Sequence, residues 1–454
     1  MHQIADNLPL ESGYQTVVSG NRFRQRGRAA RLGIAVSAAA NLIKGRVPGQ
    51  LVIQFTDHCN AHCPQCGMRV TNRFPRTSLT DNDVKRLIDA AADQGCRVVS
   101  FTGGEPLLFA GKLCEYIRYA RQQGLDYTRT GTNGFLFAKH NHPSFNDRIN
   151  RLAGNLCSSG LRNLWISVDS ADPDTHEKMR GLGGVIRGIE KALPIFHEHG
   201  LYPSANLGLN RNTGGQETSS LYPQDFGNRD RYLAALRQAF RLGVERFYEF
   251  VNGLGFTMVN TCYPMSMEAS PPNADLDAVY AATSSDRVIR FDPDEKGAVF
   301  QGLMDVVPTY RGQIRIFSPL VSLYALVKHY RDDVDLAYPC RGGIDFFFIN
   351  AGGTNAFPCG YRGHESLGDF KRLQLRALPN QAHCKQCDWE CFRDPSEMFG
   401  PILEGLRRPL ALFKKFHQDP RYLKLWLSDL AYYRACHFFD GRRPPDYRRM
   451  RRFK

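Results

Sequence analysis

Leu51-Val52-Ile53-Gln54-Phe55-Thr56-Asp57-His58-Cys59-Asn60-Ala61-His62-Cys63-Pro64-Gln65-Cys66 is the stretch on which the reading of this chain turns. The apolar run 51–56 reads as a strand, and the three cysteines then lie on the loop that leaves its C-terminal end. Thiols spaced CxxxCxxC in one loop suit a soft metal or an iron–sulfur cluster. Structural zinc wants four ligands, and this loop offers three thiols plus His58 and His62. A cubane held by three cysteines leaves one iron open to a ligand. The spacing places the cluster ahead of zinc.

A second strand-like run, Val98-Val99-Ser100-Phe101-Thr102, leads into Gly103-Gly104-Glu105-Pro106. Glycines permit close backbone approach, and a carboxylate there can pair with an ammonium group. The two motifs together resemble the radical SAM enzyme superfamily, over roughly residues 50 to 252 and again near the C-terminus. The resemblance implies that Cys59, Cys63 and Cys66 ligate a [4Fe–4S] cluster whose fourth iron is chelated by S-adenosylmethionine (SAM). It implies that Gly103, Gly104 and Glu105 contact the methionine ammonium. It puts Ser167 and Asp169 at the ribose and carboxylate, and pairs Arg180, in His176-x-x-x-Arg180-Gly181, with the carboxylate. Asn133 and Asn210, after the third and fifth strands, are further SAM contacts or else turn residues. The family usually has an aromatic residue before the third cysteine that packs on the adenine; here it is Gln65, a departure that puts that stacking contact, though not the cluster, in question.

Beyond these motifs the 454 residues alternate strand and helix signals. Strands are expected at 51–56, 97–101, 126–131, 163–168, 202–209 and 245–251. Helices fall between them, the first opened by Thr80 and Asp83 at capping-box spacing. Six βα units imply a partial (β/α)6 TIM-type barrel with its site at the C-terminal strand ends. The expected division is an N-terminal basic helical extension, 1–48, and a barrel, 49–335, with loop insertions at 211–227 and 253–295. A small auxiliary domain, 336–394, and a basic aromatic helical tail, 395–454, follow. A helix at 29–44 either plugs the barrel or lies at a membrane interface.

Cysteines recur at Cys340, Cys359, Cys384, Cys387 and Cys391. Tyr338-Pro339-Cys340, the run Phe346–Asn350 and Phe357-Pro358-Cys359-Gly360 resemble the SPASM and Twitch auxiliary-cluster domains. Four thiolates suffice for one further [4Fe–4S] cluster, with Cys391 left over as a substitute or structural thiol; a four-thiolate zinc site is the alternative. Cys262 is a candidate hydrogen-atom donor to a substrate radical.

Thirteen cysteines in these clusters argue for metal ligation in a reducing cytoplasm rather than for disulfides. No apolar run of transmembrane length and no secretory signal is visible. The net charge of +14 sits at the ends: +5 over residues 1–50, +9 over 401–454, hence zero between. Basic residues interleaved with aromatics in the tail suit an anionic membrane surface, and nucleic acid less well.

The expected activity is reductive SAM cleavage and hydrogen abstraction, with a flavodoxin or ferredoxin as electron donor. Three substrate classes stand: a lipid or isoprenoid at the inner face of the membrane, a ribosomal peptide, or a small molecule dehydrogenated with the second cluster as electron acceptor. An inert iron–sulfur or zinc scaffold is the non-enzymatic alternative.

Overall fold

In the computed structural model the described residues are 40–66, 76–264, 286–332, 334, 335 and 338–454. Most of the expected helix at 29–44 and much of the insertion 253–295 lie outside them; residues 40–43 are helical.

Nine strands form one sheet in the order β7-β6-β5-β4-β3-β2-β1-β8-β9. The first six are β1 (Gly49–Thr56), β2 (Cys96–Gly103), β3 (Tyr127–Thr132), β4 (Asn163–Ser167), β5 (Ser204–Gly208) and β6 (Met258–Cys262). Each pairs in parallel with the next. Such pairing needs a crossover helix each time. These are α1 (Asp81–Asp93), α2 (Ala110–Gln123), α3 (Phe145–Ser159), the pair α4 (Pro173–Arg180) and α5 (Val185–Glu198), and α6 (Arg229–Leu254). The expected partial barrel is therefore present, with every strand end pointing the same way.

Local chemistry explains the joints. Thr80 Oγ1 accepts the Asp83 N–H at 3.1 Å and caps α1. Leu113, Tyr116, Ile117 and Ala120 of α2 are buried, at helical spacing, against the sheet. Each large apolar side chain so buried is worth about 1.5–3 kcal/mol.

One expected strand is a correction. Residues 245–251 lie inside α6, where Leu236, Phe240, Val244, Phe247, Tyr248 and Val251 are buried. Those positions follow the helical period over four turns, and Gly255 ends the helix at φ 103°. The aromatic run Phe247-Tyr248 imitates a strand only when read in a short window. The sixth strand is Met258–Cys262, within the stretch expected to be an insertion.

After β6 come α7 (Pro293–Tyr310), β7 (Arg315–Ile316) and α8 (Leu320–Asp332). Then β8 (Phe346–Ile349) pairs in parallel with β1, and β9 (Ala356–Phe357) pairs antiparallel with β8. The hairpin between Cys340 and Cys359 is thus continuous with the barrel sheet. Three longer helices follow, α9 (Glu390–Arg407), α10 (Pro409–Gln418) and α11 (Pro420–Ala435), and then a short helix, Tyr447–Met450. α9 begins before the expected 395, and Pro395 lies within it.

Candidate active site

The cysteine loop leaves β1 at the C-terminal rim. A turn closed by Cys66 N–H to the Cys63 carbonyl, 3.1 Å, folds it back. The Ala61 N–H approaches Cys59 Sγ at 3.4 Å, and Asn133 Nδ2 approaches the same sulfur at 3.9 Å. Such donors favour a thiolate. Cys63 is buried, and its burial pushes the thiol up. His58 and His62 are exposed and flank the loop.

Gly103 and Gly104 are explained by this loop. A Cβ on Gly103 would overlap the Thr56 carbonyl oxygen, and one on Gly104 would overlap that of His58 and lie 2.8 Å from Cys59 Cβ. Gly104 N–H bonds Thr56 O at 2.9 Å, and Glu105 N–H bonds His58 O at 2.8 Å. The glycines let the end of β2 clamp the cysteine loop.

Glu105 is 0% exposed. Its carboxylate accepts the Leu107 N–H at 2.9 Å and the Asn133 N–H at 2.6 Å. Burial pushes it up to about 7, against those donors. A buried carboxylate at this rim suits an incoming ammonium group. Asn133 Oδ1 accepts the Phe135 N–H while its Nδ2 donates to Asn60 Oδ1, both at 2.9 Å. It ties the end of β3 to the cysteine loop.

Ser167 ends β4, and Asp169 follows it with 1% exposure. Arg180 holds Asp169 with two bonds, Nε to Oδ2 at 2.7 Å and Nη2 to Oδ1 at 3.0 Å. Burial opposes the Asp169 charge, but Arg180 outweighs it and holds the carboxylate below its usual range. The Asp169 N–H donates to His176 Nδ1 at 3.0 Å, and burial keeps His176 neutral, down to about 4. Asn210 Nδ2 donates to the Asp169 carbonyl at 2.8 Å and Oδ1 accepts the Asn212 N–H at 2.7 Å. Asn210 therefore braces the loops after β4 and β5.

Gln65 stands where the resemblance expects an aromatic ring. Its Nε2 donates to Asp169 Oδ2 at 3.0 Å, and its Oε1 is buried without a hydrogen-bond partner among the described residues. The cysteine loop, Asp169 and Arg180 are thus one connected unit.

The residues fit the implied groups. Three thiols, nearby N–H donors and the Arg180 guanidinium suit a thiolate-bound cluster. A buried carboxylate and an orphaned amide oxygen suit the amino acid and polar parts of SAM. Among the described residues no three His, Cys, Asp or Glu side chains are close enough to share one ion. A cubane does not ask for that, since it holds its thiolates at separate corners.

The late cysteines divide. Cys340 and Cys384 are bridged by Cys340 N–H to the Cys384 carbonyl at 2.8 Å. Burial, together with Cys340 and Cys384, pushes the Cys359 thiol up to about 12; burial and the same neighbours raise Cys387. N–H groups of Gly342 and Tyr361 point at Cys340 Sγ and Cys359 Sγ, each at 3.4 Å. Cys391 turns elsewhere: its thiol lies 3.5 Å from Glu390 Oε1, beside Cys262. It nevertheless packs against the same apolar cluster as the other four.

Sequence reasoning missed the lumen. Arg129, Trp165, Asn206, Gly208 and Cys262 keep partial exposure, while their strand neighbours Thr128, Thr130, Leu164, Ile166, Ala205 and Leu207 are buried under helices. Asn260 Nδ2 donates to Asn206 Oδ1 at 2.6 Å. From α9, Glu390 Oε2 accepts the Tyr263 N–H at 3.2 Å and Asp394 Oδ2 the Tyr263 hydroxyl at 3.3 Å. The only available signal was polar residues at alternate positions of strands that should be apolar.

Residues 53–218 match the family model of the radical SAM superfamily. The chain is 32% identical over 168 residues to the GTP 3',8-cyclase of Desulforamulus reducens, covering 35% of this chain and 47% of that protein. It is 23% identical over 354 residues to the AdoMet-dependent heme synthase of Methanosarcina barkeri, covering 78% and 87%. The chain spans about half the length of the cyclases it matches. Among solved structures, it is similar to native anSMEcpe with bound AdoMet, with TM-score 0.48 and 14% identity over 84% of this chain and 99% of that one. SuiB of Streptococcus suis bound to S-adenosylmethionine gives TM-score 0.45 and 15% identity over 84% and 73%. Residues 53–218, which hold the thiol loop at the end of β1 and most of the parallel strands beneath it, are thus similar to the radical SAM superfamily.

Proposed function

We propose that the chain takes a hydrogen atom from a small polar substrate held inside the barrel beneath the cysteine loop. The observation that carries this reading is the lumen itself, lined by Arg129, Trp165, Asn206, Asn260 and Cys262 rather than by aliphatic side chains. A lipid or isoprenoid would offer no partner to Arg129 or to the hydrogen-bonding capacity that Asn206 and Asn260 do not spend on each other, at a cost of about 1–3 kcal/mol per unsatisfied group. When bound, the cluster and SAM supply the 5′-deoxyadenosyl radical, with a flavodoxin or ferredoxin as the electron source.

The residues of the chain do the rest. Cys59, Cys63 and Cys66 would hold the cluster. Glu105 would take the SAM ammonium, with Gly103 and Gly104 fixing its distance from the cysteine loop. Ser167, Asp169 and Arg180 orient the ribose and carboxylate side, and Asn133 and Asn210 brace their loops. Cys340, Cys359, Cys384 and Cys387 would hold a second cluster, which suits a dehydrogenation better than a simple rearrangement. A relative named for AdoMet-dependent heme synthesis agrees with a small-molecule substrate.

The test is 5′-deoxyadenosine release by anaerobically reconstituted, reduced protein given polar and lipid extracts separately. Stimulation by the polar extract is expected, with deuterium passing from a labelled extract into 5′-deoxyadenosine. Stimulation by the lipid extract alone would overturn the reading.

A second reading concerns placement. α10 buries none of its residues and exposes Leu410 (84%) and Phe413 (72%), beside Arg407, Arg408 and Lys414. Apolar residues flanked by cations suit the surface of an anionic bilayer, where each basic residue adds about 1 kcal/mol. No helix among the described residues is long and apolar enough to cross a membrane. Flotation with anionic liposomes at low salt should recover the wild type and lose a Leu410→Asp/Phe413→Asp double variant. Equal flotation of both would remove this reading.

A further inference from the structure

Arg129 is a guanidinium in the middle of a central parallel strand. β3 has four strands on either side of it in the sheet. Strands so placed are normally runs of Val, Ile and Leu, because both faces are covered. A cation there is costly unless something pairs with it. Among the described residues no carboxylate does. It lies over two rings, Trp165 of β4, 5.3 Å from guanidinium carbon to ring centre, and Phe317 after β7, 5.6 Å, with the Cys391 thiol within its electrostatic reach. The bracket is itself fixed. Phe317 packs edge-on against Phe439 at 4.5 Å and stacks on Tyr433 at 5.8 Å, and Trp165 lies across Gly131, where a Cβ would overlap its indole. The carboxylates that approach the lumen from α9, Glu390 and Asp394, bond Tyr263 instead.

Register places this cation on the lumen floor. Arg129 pairs across to Ser100 of β2 and Asn163 of β4. Four residues further along β3 is Asn133, whose side chain reaches Cys59. At about 3.3 Å per residue that is roughly 13 Å of strand. One row above Arg129, Ser204 pairs with Trp165, and its hydroxyl is buried without a hydrogen-bond partner among the described residues. A fixed cation flanked by aromatic faces, with an unused hydroxyl close by, is a receptor for a planar or tetrahedral oxyanion.

We propose that Arg129, set between Trp165 and Phe317, binds an anionic group of the substrate, a carboxylate or a phosphate, at the floor of the barrel. The substrate then stands upright, anion down, with its reacting carbon toward the cysteine loop. This deepens the small polar substrate reading and rests on it.

Calorimetric titration of the reconstituted protein tests it, with succinate and inorganic phosphate as separate probes and ionic strength matched with KCl. One of the two should bind saturably to wild type and at least tenfold more weakly to Arg129→Gln. Whichever anion binds identifies the group. Arg129→Lys, which keeps the charge but loses the fork, should fall between them. Iron content equal to wild type shows that the Gln variant is folded. Equal binding by wild type and Arg129→Gln, or no binding of either anion to wild type, would overturn the proposal. Release of 5′-deoxyadenosine by wild type is measured separately, so failure of the radical reading and failure of the anion site are told apart.

Discussion

Gly104→Ala tests whether the glycines serve the cysteine loop. The added methyl would overlap the His58 carbonyl oxygen and press on Cys59 Cβ at 2.8 Å. The first contact is backbone and has no rotamer to escape into. Overpacking of that kind costs about 1–3 kcal/mol. Separating the strands also weakens the Glu105 N–H bond to His58 O, now 2.8 Å, worth about 0.5–1.5 kcal/mol. The sum is roughly 2–4 kcal/mol, concentrated where Cys59 is held. Two readouts follow: the midpoint of urea unfolding, and iron bound after reconstitution. Gly183→Ala is the control, because nothing lies within 4 Å of a Cβ there and its φ is ordinary. That change should stay within about 1 kcal/mol and leave iron unchanged. If Gly104→Ala keeps the wild-type midpoint and full iron, the glycines are not there to seat the loop, and their role must be sought at the ligand.

Four further outcomes are expected. A variant with Cys59, Cys63 and Cys66 all changed to Ala should hold about four irons where wild type holds about eight. Cys387→Ala should lose the other four, while Cys391→Ala should retain them, because Cys391 faces Glu390 and Cys262; equal iron loss in the two variants would refute the division. Arg180→Gln leaves Asp169, 1% exposed, without its cation. Such a break costs about 3–5 kcal/mol, and SAM affinity by calorimetry should fall at least tenfold. His176 accepts the Asp169 N–H and sits at about 4, below the usual 6.5. Between those values the unfolded chain binds the extra proton, so this stability is complete above about pH 6.5 and is lost as pH falls toward 4. The effect is up to about 3 kcal/mol, and His176→Asn should flatten that limb of a pH–stability curve.

The site was legible where chemistry forces residue type. Thiols at fixed spacing, a Gly-Gly-Glu turn after a strand and an Asp–Arg pair cannot be mistaken for core. The role of the glycines was harder to read: spacing shows that a backbone approaches closely, and only the fold shows that the partner is the His58 carbonyl rather than a ligand alone. Asn133 and Asn210 share that ambiguity. Both follow strands, and both bond backbone groups of neighbouring loops. The sixth strand failed for another reason. Phe247 and Tyr248 have high strand propensity, yet the helical period from Tyr232 to Val251 buries one face of a 26-residue helix. Tertiary burial over several turns outweighs local propensity.

The lumen was illegible because a partial barrel of parallel strands inverts the usual rule. In a half-exposed strand the apolar face marks the core and the polar face marks water. In β3 the residues that face the helices are Thr128 and Thr130, fully buried, and the residue that faces the interior is Arg129. The threonine hydroxyls are satisfied by carbonyls of neighbouring segments, Gly160 at 3.1 Å and Phe101 at 3.0 Å, so their burial costs little. Among the described residues Arg129 has no such partner. A fold this size can bury an arginine against two rings, but a serine or leucine would serve packing at lower cost. The residue that makes least sense for the stability of the strand is therefore the one that says most about what enters the barrel.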